Sequence, residues 1–530
     1  MLGLLTACGP ADGATTAADA DGAVLLPDDP PALVVNVVVD QLRPDQLHRY
    51  DEVFTGGFRR LLDEGLYFTE ALFDHALTGT GPGHAVATTG VHPHRHGIVA
   101  NSWRELDGDH WRSMYAVEDV SARVLTAPDE DGRSPDNLLR DGLPDWLKAS
   151  DPNAQTVAIS RKDRAAVAMG GRSSGHVYWL LPEHGRFVSS SFYMEALPDW
   201  AESFNERLSA EIAADTVWTS AVPEWARSLS RPDTSAYEGN GTHTYFPHRY
   251  HEQVADRGPE SLNAWVAETP APDRWALDLA LEALEQLELG RRPGGTDYLA
   301  LALSQLDRVG HQYGPLSREA LDTLIRLDRE LGRLFDALDA RVGDGAWVLS
   351  LTSDHGVIEI PEHREEWVGK PGRRLSPDDE AHLVAVAEAA ADRAGEDESE
   401  RARAAAEAAK ELDWVAAAYP YAQLEALAAA DSFALFYLRS HYEGRTTGSI
   451  GHLGVEILRE PGAYLGRYPT GTGHGTPYLH DRAVPVFLLG RGVEAGRVAD
   501  RITVADLVPT LARLAAIPFP QDLDGRSLLQ

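Results

Sequence analysis

Three stretches of the chain are almost wholly apolar, and each leads into acidic or imidazole side chains. Residues 33–39 (Leu-Val-Val-Asn-Val-Val-Val) lead to Asp40, 298–306 to Asp307, and 346–351 to Asp354 and His355. Near-continuous runs rich in β-branched residues, without polar alternation, predict strands covered on both faces. Between the last two, residues 317–338 place Leu324, Leu327, Leu331, Leu334 and Leu338 at steps of three and four, which predicts a helix and with it a parallel strand-helix-strand crossover.

The same reading predicts a helix from Pro44 to about Asp63, a strand over 155–160, a strand over 483–489 and a closing helix over 503–514. Thus the expected fold is α/β, a large and mostly parallel central sheet with helices on both faces. Acids and histidines at the carboxyl ends of such strands share one crevice. Two segments break the rhythm and are expected to be inserted caps, about 200–270, rich in Trp, Tyr and His, and about 362–460, Ala- and Glu-rich. In the second, Ser376 is the expected N-cap and Pro377 the first helical residue. No internal repeat is visible.

At 530 residues, with 43% hydrophobic and 25% charged positions, the chain can bury a large core, and no apolar run reaches membrane-spanning length. Its formal charge is −34, from 82 acidic against 48 basic residues, which argues against nucleic acid or an anionic lipid surface as partner. An anionic substrate would then need a locally reversed field, which divalent cations and a few buried basic residues supply. The single cysteine, Cys8, rules out an internal disulfide framework and a thiolate zinc cage. Its setting, Leu5-Thr6-Ala7-Cys8-Gly9, resembles a bacterial lipobox, and residues 9–29 are rich in Ala, Gly, Asp and Thr. Residues 1–30 are therefore expected to be a signal remnant and flexible tether, lipidated at Cys8, holding the domain 31–530 in the bacterial cell envelope, in the periplasm or on the outer membrane.

The candidate chemistry lies in short motifs. Thr80-Gly81-Pro82-Gly83-His84 is expected just after a strand end, where its glycines let the backbone approach an anion. Thr80 is a candidate nucleophile, although a threonine hydroxyl needs a base or metal to activate it. Asp307 and His311 share a helical face, Asp354 and His355 are adjacent, and His474 sits among Gly471, Gly473 and Gly475. Each of these alone is common in turns and surface groups.

Their order is more specific. Asp40, Thr80 with its glycines, His96-Gly97-Ile98 with Asn101, Lys162-Asp163-Arg164, Asp307 with His311, Asp354-His355 and Gly473-His474-Gly475 follow one another, and Asp506-Leu507-Val508-Pro509-Thr510 and Asp524-Gly525-Arg526-Ser527-Leu528 close the chain. This set closely resembles the alkaline phosphatase superfamily, and more narrowly the phosphate-irrepressible alkaline phosphatases, with nucleotide pyrophosphatase/phosphodiesterases as nearest relatives. The resemblance implies two Zn²⁺ per chain, one held by Asp40, Asp354, His355 and the Thr80 oxygen, the other by Asp307, His311 and His474. Such a pair, about 4 Å apart, activates an attacking oxygen and stabilises a leaving one. It also implies that Thr80 attacks phosphorus, giving a phosphothreonine that water then hydrolyses.

By the same resemblance Lys162, Arg164 and Asn101 contact the non-bridging oxygens of the substrate. A phosphate monoester carries the extra charge these cations match, so small phosphate monoesters are the expected substrates. The alternatives are a phosphodiesterase or nucleotide pyrophosphatase of the same superfamily and a non-catalytic metal- or phosphonate-binding lipoprotein. A sulfatase is disfavoured because Cys8 is the only cysteine, and a phosphoglycerate mutase because it would carry a serine nucleophile. The oligomeric state is not legible; a monomer is compatible with everything above. His92, His94 and His96 are expected to pack loops, His84 to buttress the nucleophile, and His243, His248 and His251 to lie in the first cap.

Overall fold

The computed structural model describes residues 22–529 except 109, 256–257 and 467–468. Cys8 and the expected tether up to residue 21 lie outside the described residues. All seven residues of β1 (Leu33–Val39) are buried. Alternation assigns them to two faces: Val35, Val37 and Val39 pack with Phe58, Leu324 and Leu331, while Val34 and Val38 pack with Val86, Ala87 and Val508. Asn36 sits among them as a fastener. Its amide donates to the Ala87 carbonyl (3.1 Å) and its Oδ1 accepts from the Ser350 hydroxyl (3.0 Å), so both ends of this buried amide are paired.

The remaining strands are β2 (Leu66–Phe68), β3 (Thr156–Ser160), β4 (His176–Leu181), β5 (Arg186–Val188), β6 (Asp297–Leu303), β7 (Trp347–Thr352), β8 (Val486–Gly490) and β9 (Gly496–Val498). They form one nine-stranded sheet in the order β9-β2-β8-β7-β1-β6-β3-β4-β5. Five of its eight pairings are parallel; β8 runs antiparallel to both neighbours, as does β5 to β4. The α/β sheet read from the sequence is therefore present. The expected crossover joins β6 to β7 in parallel, with β1 between them. Four helices position the site: α1 (Thr80–Thr89), α2 (Asp163–Gly170), α3 (Gln305–Tyr313) and α4 (Arg318–Arg341).

Several expectations need correction. The helix from Pro44 to about Asp63 is broken into Pro44–Arg49, a 3-10 turn Asp51–Val53 and Gly57–Glu64. The cause is tertiary: Asp328 of α4 accepts from the backbone N–H of Thr55, Gly56 and Phe58 (2.8 Å each), and a Cβ on Gly57 would lie 2.3 Å from that of Leu331. The second apolar run ends as a strand at Leu303, so Asp307 lies in the first turn of α3 rather than at a strand end. Thr80 follows no strand directly; it opens α1, where the helix dipole favours an anion. Ordered packing also starts before residue 31, since Val24 is 1% exposed and bridges to Val493.

Helix Asp199–Ala214 contributes Phe204, Leu208 and Ile212 to the core beneath the sheet. Farther on, Leu383, Ala387, Ala405, Ala406, Trp414 and Val455 form a small core of their own. There Ser376 accepts from the Asp379 N–H and Pro377 occupies the first helical position. No described helix is long and apolar enough to cross a membrane.

Candidate active site

Five chain segments deliver polar groups to the carboxyl ends of β1, β7, β6 and β3. Asp40 follows β1 immediately, Asp354 and His355 follow β7 by two residues, Asp307 and His311 ride on α3, Lys162 precedes α2, and His474 comes from a glycine-rich loop. Two sets of ligand atoms converge within 4.8 Å: Asp40, Asp354 and His355, and Asp307, His355 and His474. The first set is the expected one. In the second His355 stands where His311 was expected, because the His355 and His474 rings stack at 3.5 Å while the His311 ring lies 5.1 Å from His474. His311 remains attached through Nε2, 3.1 Å from Asp307 Oδ1.

The imidazoles share one device. Nδ1 of His311, His355 and His474 donates to the carbonyls of Thr472 (2.8 Å), Gly356 (2.9 Å) and Thr78 (2.8 Å). A carbonyl only accepts, so each neutral ring carries its proton on Nδ1 and presents the Nε2 lone pair, the form a metal needs. Burial, reinforced for His474 by the other imidazoles, depresses the pKa of His355 and of His474 and keeps both rings neutral.

Burial, and behind it the charges of Asp307 and Asp354, push the Asp40 carboxyl well above the ordinary carboxylate range. Burial would also raise Asp307 and Asp354, but His311 and Lys162 outweigh it at Asp307, and His355 and His84 at Asp354, so both are lowered. Among the described residues the one ammonium between these carboxylates is that of Lys162, whose Nζ lies 2.5 Å from Asp40 Oδ2, 2.6 Å from Asp307 Oδ2 and 3.3 Å from the Thr80 hydroxyl. One positive charge does not balance three carboxylates, and Asp40 Oδ1, Asp354 Oδ2 and His355 Nε2 are buried with no hydrogen-bond partner. Unpaired buried charge costs several kcal/mol per ion, which a bound cation relieves. Oxygen and imidazole donors in this number fit divalent metal ions.

The opposite wall is polar and cationic. Asn101 Oδ1 accepts from the Gly81 N–H (2.7 Å), which fixes the turn that begins at Thr80. Arg164 donates to the Tyr115 hydroxyl (3.3 Å), which itself donates to Asp163 (2.5 Å). His84 braces the Thr80 turn, with Nδ1 2.8 Å from the Thr80 carbonyl and 3.3 Å from Asp354 Oδ2. Gly83 is forced by contact: a Cβ there would lie 2.3 Å from the Asp354 carbonyl oxygen.

The structure adds residues that the motifs did not single out. Gln41, in a left-handed conformation (φ 70°), donates through Nε2 to Asp307 Oδ1 (2.8 Å) and through its backbone N–H to Asp354 Oδ1 (3.2 Å), tying the two carboxylates together. Its position directly after Asp40 was the available signal. Buried Asp273 accepts from the Ser304 (2.7 Å) and Gln305 (3.2 Å) N–H groups and so anchors the start of α3. Nothing in sequence marks Asp273. His92 and His96, made neutral by burial with pKa values of about 4 and 3, belong to neither ligand set, nor does His94, whose Nδ1 donates to the Arg439 carbonyl (3.2 Å). His248 pairs with Glu319 (2.9 Å).

A family profile described as type I phosphodiesterase / nucleotide pyrophosphatase matches residues 34–477. Alkaline phosphatase PhoV of Synechococcus elongatus is 31% identical over 527 residues, covering 94% of this chain and 92% of the relative. Alkaline phosphatase PhoK of a Sphingomonas species is 30% identical over 540 residues, covering 94% and 91%. The crystal structure of wild-type alkaline phosphatase PafA superposes with a TM-score of 0.83 at 24% identity, covering 94% of this chain and 98% of that one, which establishes a shared fold.

Proposed function

The chain belongs to the type I phosphodiesterase / nucleotide pyrophosphatase family within the alkaline phosphatase superfamily, and on that footing we propose that it is a phosphomonoesterase that passes phosphate through Thr80 to water. The observation that carries this reading is the Thr80 hydroxyl at the start of α1, 3.3 Å from the Lys162 ammonium that also reaches Asp40 and Asp307, one carboxylate of each ligand set, with Asn101 on the neighbouring Gly81 N–H. Two zinc ions are the reading's metals, with Asp40, Asp354, His355 and the Thr80 oxygen on one side and Asp307, His311 and His474 on the other. When bound they supply positive charge to the attacking and leaving oxygens and lower the pKa of the Thr80 hydroxyl.

The chain's own residues do the rest. Thr80 opens α1, whose dipole favours a phosphoryl group there, and Asn101 holds that turn through Gly81. Lys162, freed from Asp40 and Asp307 once cations neutralise them, turns its Nζ to a non-bridging oxygen, and Arg164, held by Tyr115, takes another. Thr80 forms the new P–O bond as the ester oxygen leaves with its electron pair; water later breaks that bond and returns the hydroxyl. A monoester dianion uses both cations, whereas a diester offers one charge fewer.

The test compares kcat/KM on an aryl phosphate, a bis-aryl phosphate and an aryl sulfate, together with the metal content of the same preparation. The monoester is expected to be the best substrate, and a higher efficiency on the diester would overturn the assignment. That diesterase reading is the second one, favoured by the description of the matching family. For location, the Leu-Thr-Ala-Cys sequence supports a lipid anchor at Cys8 in the bacterial envelope. Unchanged detergent partitioning of Cys8→Ala would remove the anchor.

A further inference from the structure

A cavity of about 530 Å³ is lined in part by the three segments that carry the candidate metal ligands. Arg43, Ile358 and Pro477 line it, each three residues beyond Asp40, His355 and His474, and none of the site residues named above does. Its charge runs against that of the molecule. In a chain of net charge −34, five lining residues are basic (Arg43, Arg364, Lys370, Arg482 and Arg501) and one, Glu359, is acidic. Glu359 is turned to other partners, with Oε1 accepting from the Ile360 N–H (2.7 Å) and lying 3.8 Å from Arg231.

Three of the cations are buried, and one of them, Arg43, is paired with Asp45 (2.6 Å), which leaves Arg482 and Arg364. Arg482 is 4% exposed, and its Nε and Nη1 have no hydrogen-bond partner; the nearest carboxylate, Asp74, lies 4.0 Å from Nη1. Its guanidinium covers the Phe436 ring at 3.6 Å, and burial lowers its pKa to about 10. Arg364 is 5% exposed and donates to the Pro371 and Pro461 carbonyls, which satisfy its geometry without neutralising its charge. Unneutralised buried guanidinium is costly, and an anionic group that accepts from it offsets the cost. Phe433, Phe436, Tyr478 and Leu479 make the rest of the wall apolar. A concave, largely apolar space of this volume with a few convergent polar groups suits a small molecule.

We propose that this cavity binds one small amphiphilic anion, an aromatic or branched apolar body bearing a single carboxylate, sulfonate or phosphate group, with Arg482 and Arg364 holding the head and the aromatic wall holding the body. The proposal does not depend on the catalytic reading. It is tested on the full chain by fluorescence titration with 8-anilinonaphthalene-1-sulfonate, against its neutral analogue N-phenyl-1-naphthylamine and inorganic phosphate as competitor. Expected are one site per chain, at least tenfold weaker binding of the neutral analogue, no displacement by millimolar phosphate, and at least tenfold weaker binding by Arg482→Gln. Lys370→Glu, at an exposed position that keeps folding unaffected, is expected to weaken the probe at least threefold while leaving aryl phosphate turnover unchanged. Equal affinity for the neutral analogue, displacement by phosphate, or wild-type affinity in Lys370→Glu and Arg482→Gln would overturn it.

Discussion

The two halves of the candidate metal site are built differently. Asp40, Asp354 and His355 come almost directly off adjacent strands, β1 and β7, and their side chains are 0% exposed. Asp307, His311 and His474 come from a helix and a loop, with side chains 3%, 32% and 12% exposed. The register Leu33–Trp347 through Val38–Thr352 fixes the first set by six consecutive paired positions. The second is held by single hydrogen bonds across long sequence distances: Asp273 to the start of α3, His311 to Thr472 and His474 to Thr78. Sheet pairing makes one half stiff, whereas the other half can be loosened one contact at a time.

Thr80 stands between the halves, so its removal is expected to have the largest effect. Thr80→Ala should lower kcat/KM by about four to six orders of magnitude, the upper figure being the scale seen on deleting a catalytic nucleophile. Both metals should remain, as measured by metal analysis; loss of metal in parallel would make Thr80 a structural ligand first. Next comes the contrast itself. Asp354→Ala should lose about a thousandfold in turnover without recovery in excess zinc, whereas His311→Ala should weaken one metal by roughly 10–100-fold and recover when zinc is added. Equal recovery in both variants would erase the distinction between a stiff and a loose half.

Lys162 bridges the halves through Asp40 and Asp307, and Lys162→Ala is expected to cost about a hundredfold on a monoester and about tenfold on a diester, measured as kcat/KM. Equal losses would move monoester preference to Arg164. The smallest effect concerns the anchor of α3. Burial raises the Asp273 carboxyl from its ordinary value of 3.8 to about 7. With the folded pKa above the unfolded one, its contribution to stability is complete below about pH 4 and is lost as pH rises through about 7. Asn keeps an acceptor oxygen and does not titrate, so the difference in Tm, wild type minus Asp273→Asn, should fall between pH 5 and pH 8. A pH-independent difference would assign Asp273 no titration in that window.

The same contrast governs what could be read in advance. Asp40, Asp354 and His355 were legible because apolar strand runs point straight at them, and the motif order brought in Asp307, His311 and His474. The central sheet was legible for the same reason: β1, β6 and β7 announce themselves by uninterrupted burial. The break at Gly56 and Gly57 was not, because Asp328, more than 270 residues away, satisfies the freed N–H groups. Nor were Gln41 and Asp273, whose roles exist only through distant partners, or the part His355 plays in both ligand sets, which depends on its stacking with His474. Helical periodicity carries no information about which turn a remote carboxylate will interrupt.

Gly83 sets a dimension. Since a single methyl group there would overlap the Asp354 carbonyl, the main chain of α1 and that of the loop after β7 already touch at the closest approach two backbones allow. The spacing of the Thr80 turn from Asp354 therefore cannot be shortened by repacking, and any side chain at 83 lengthens it. An engineer wishing to accommodate a nucleophile of different reach would have to change the side chain at 80 itself, because the spacing beneath it is a contact between two main chains with no slack.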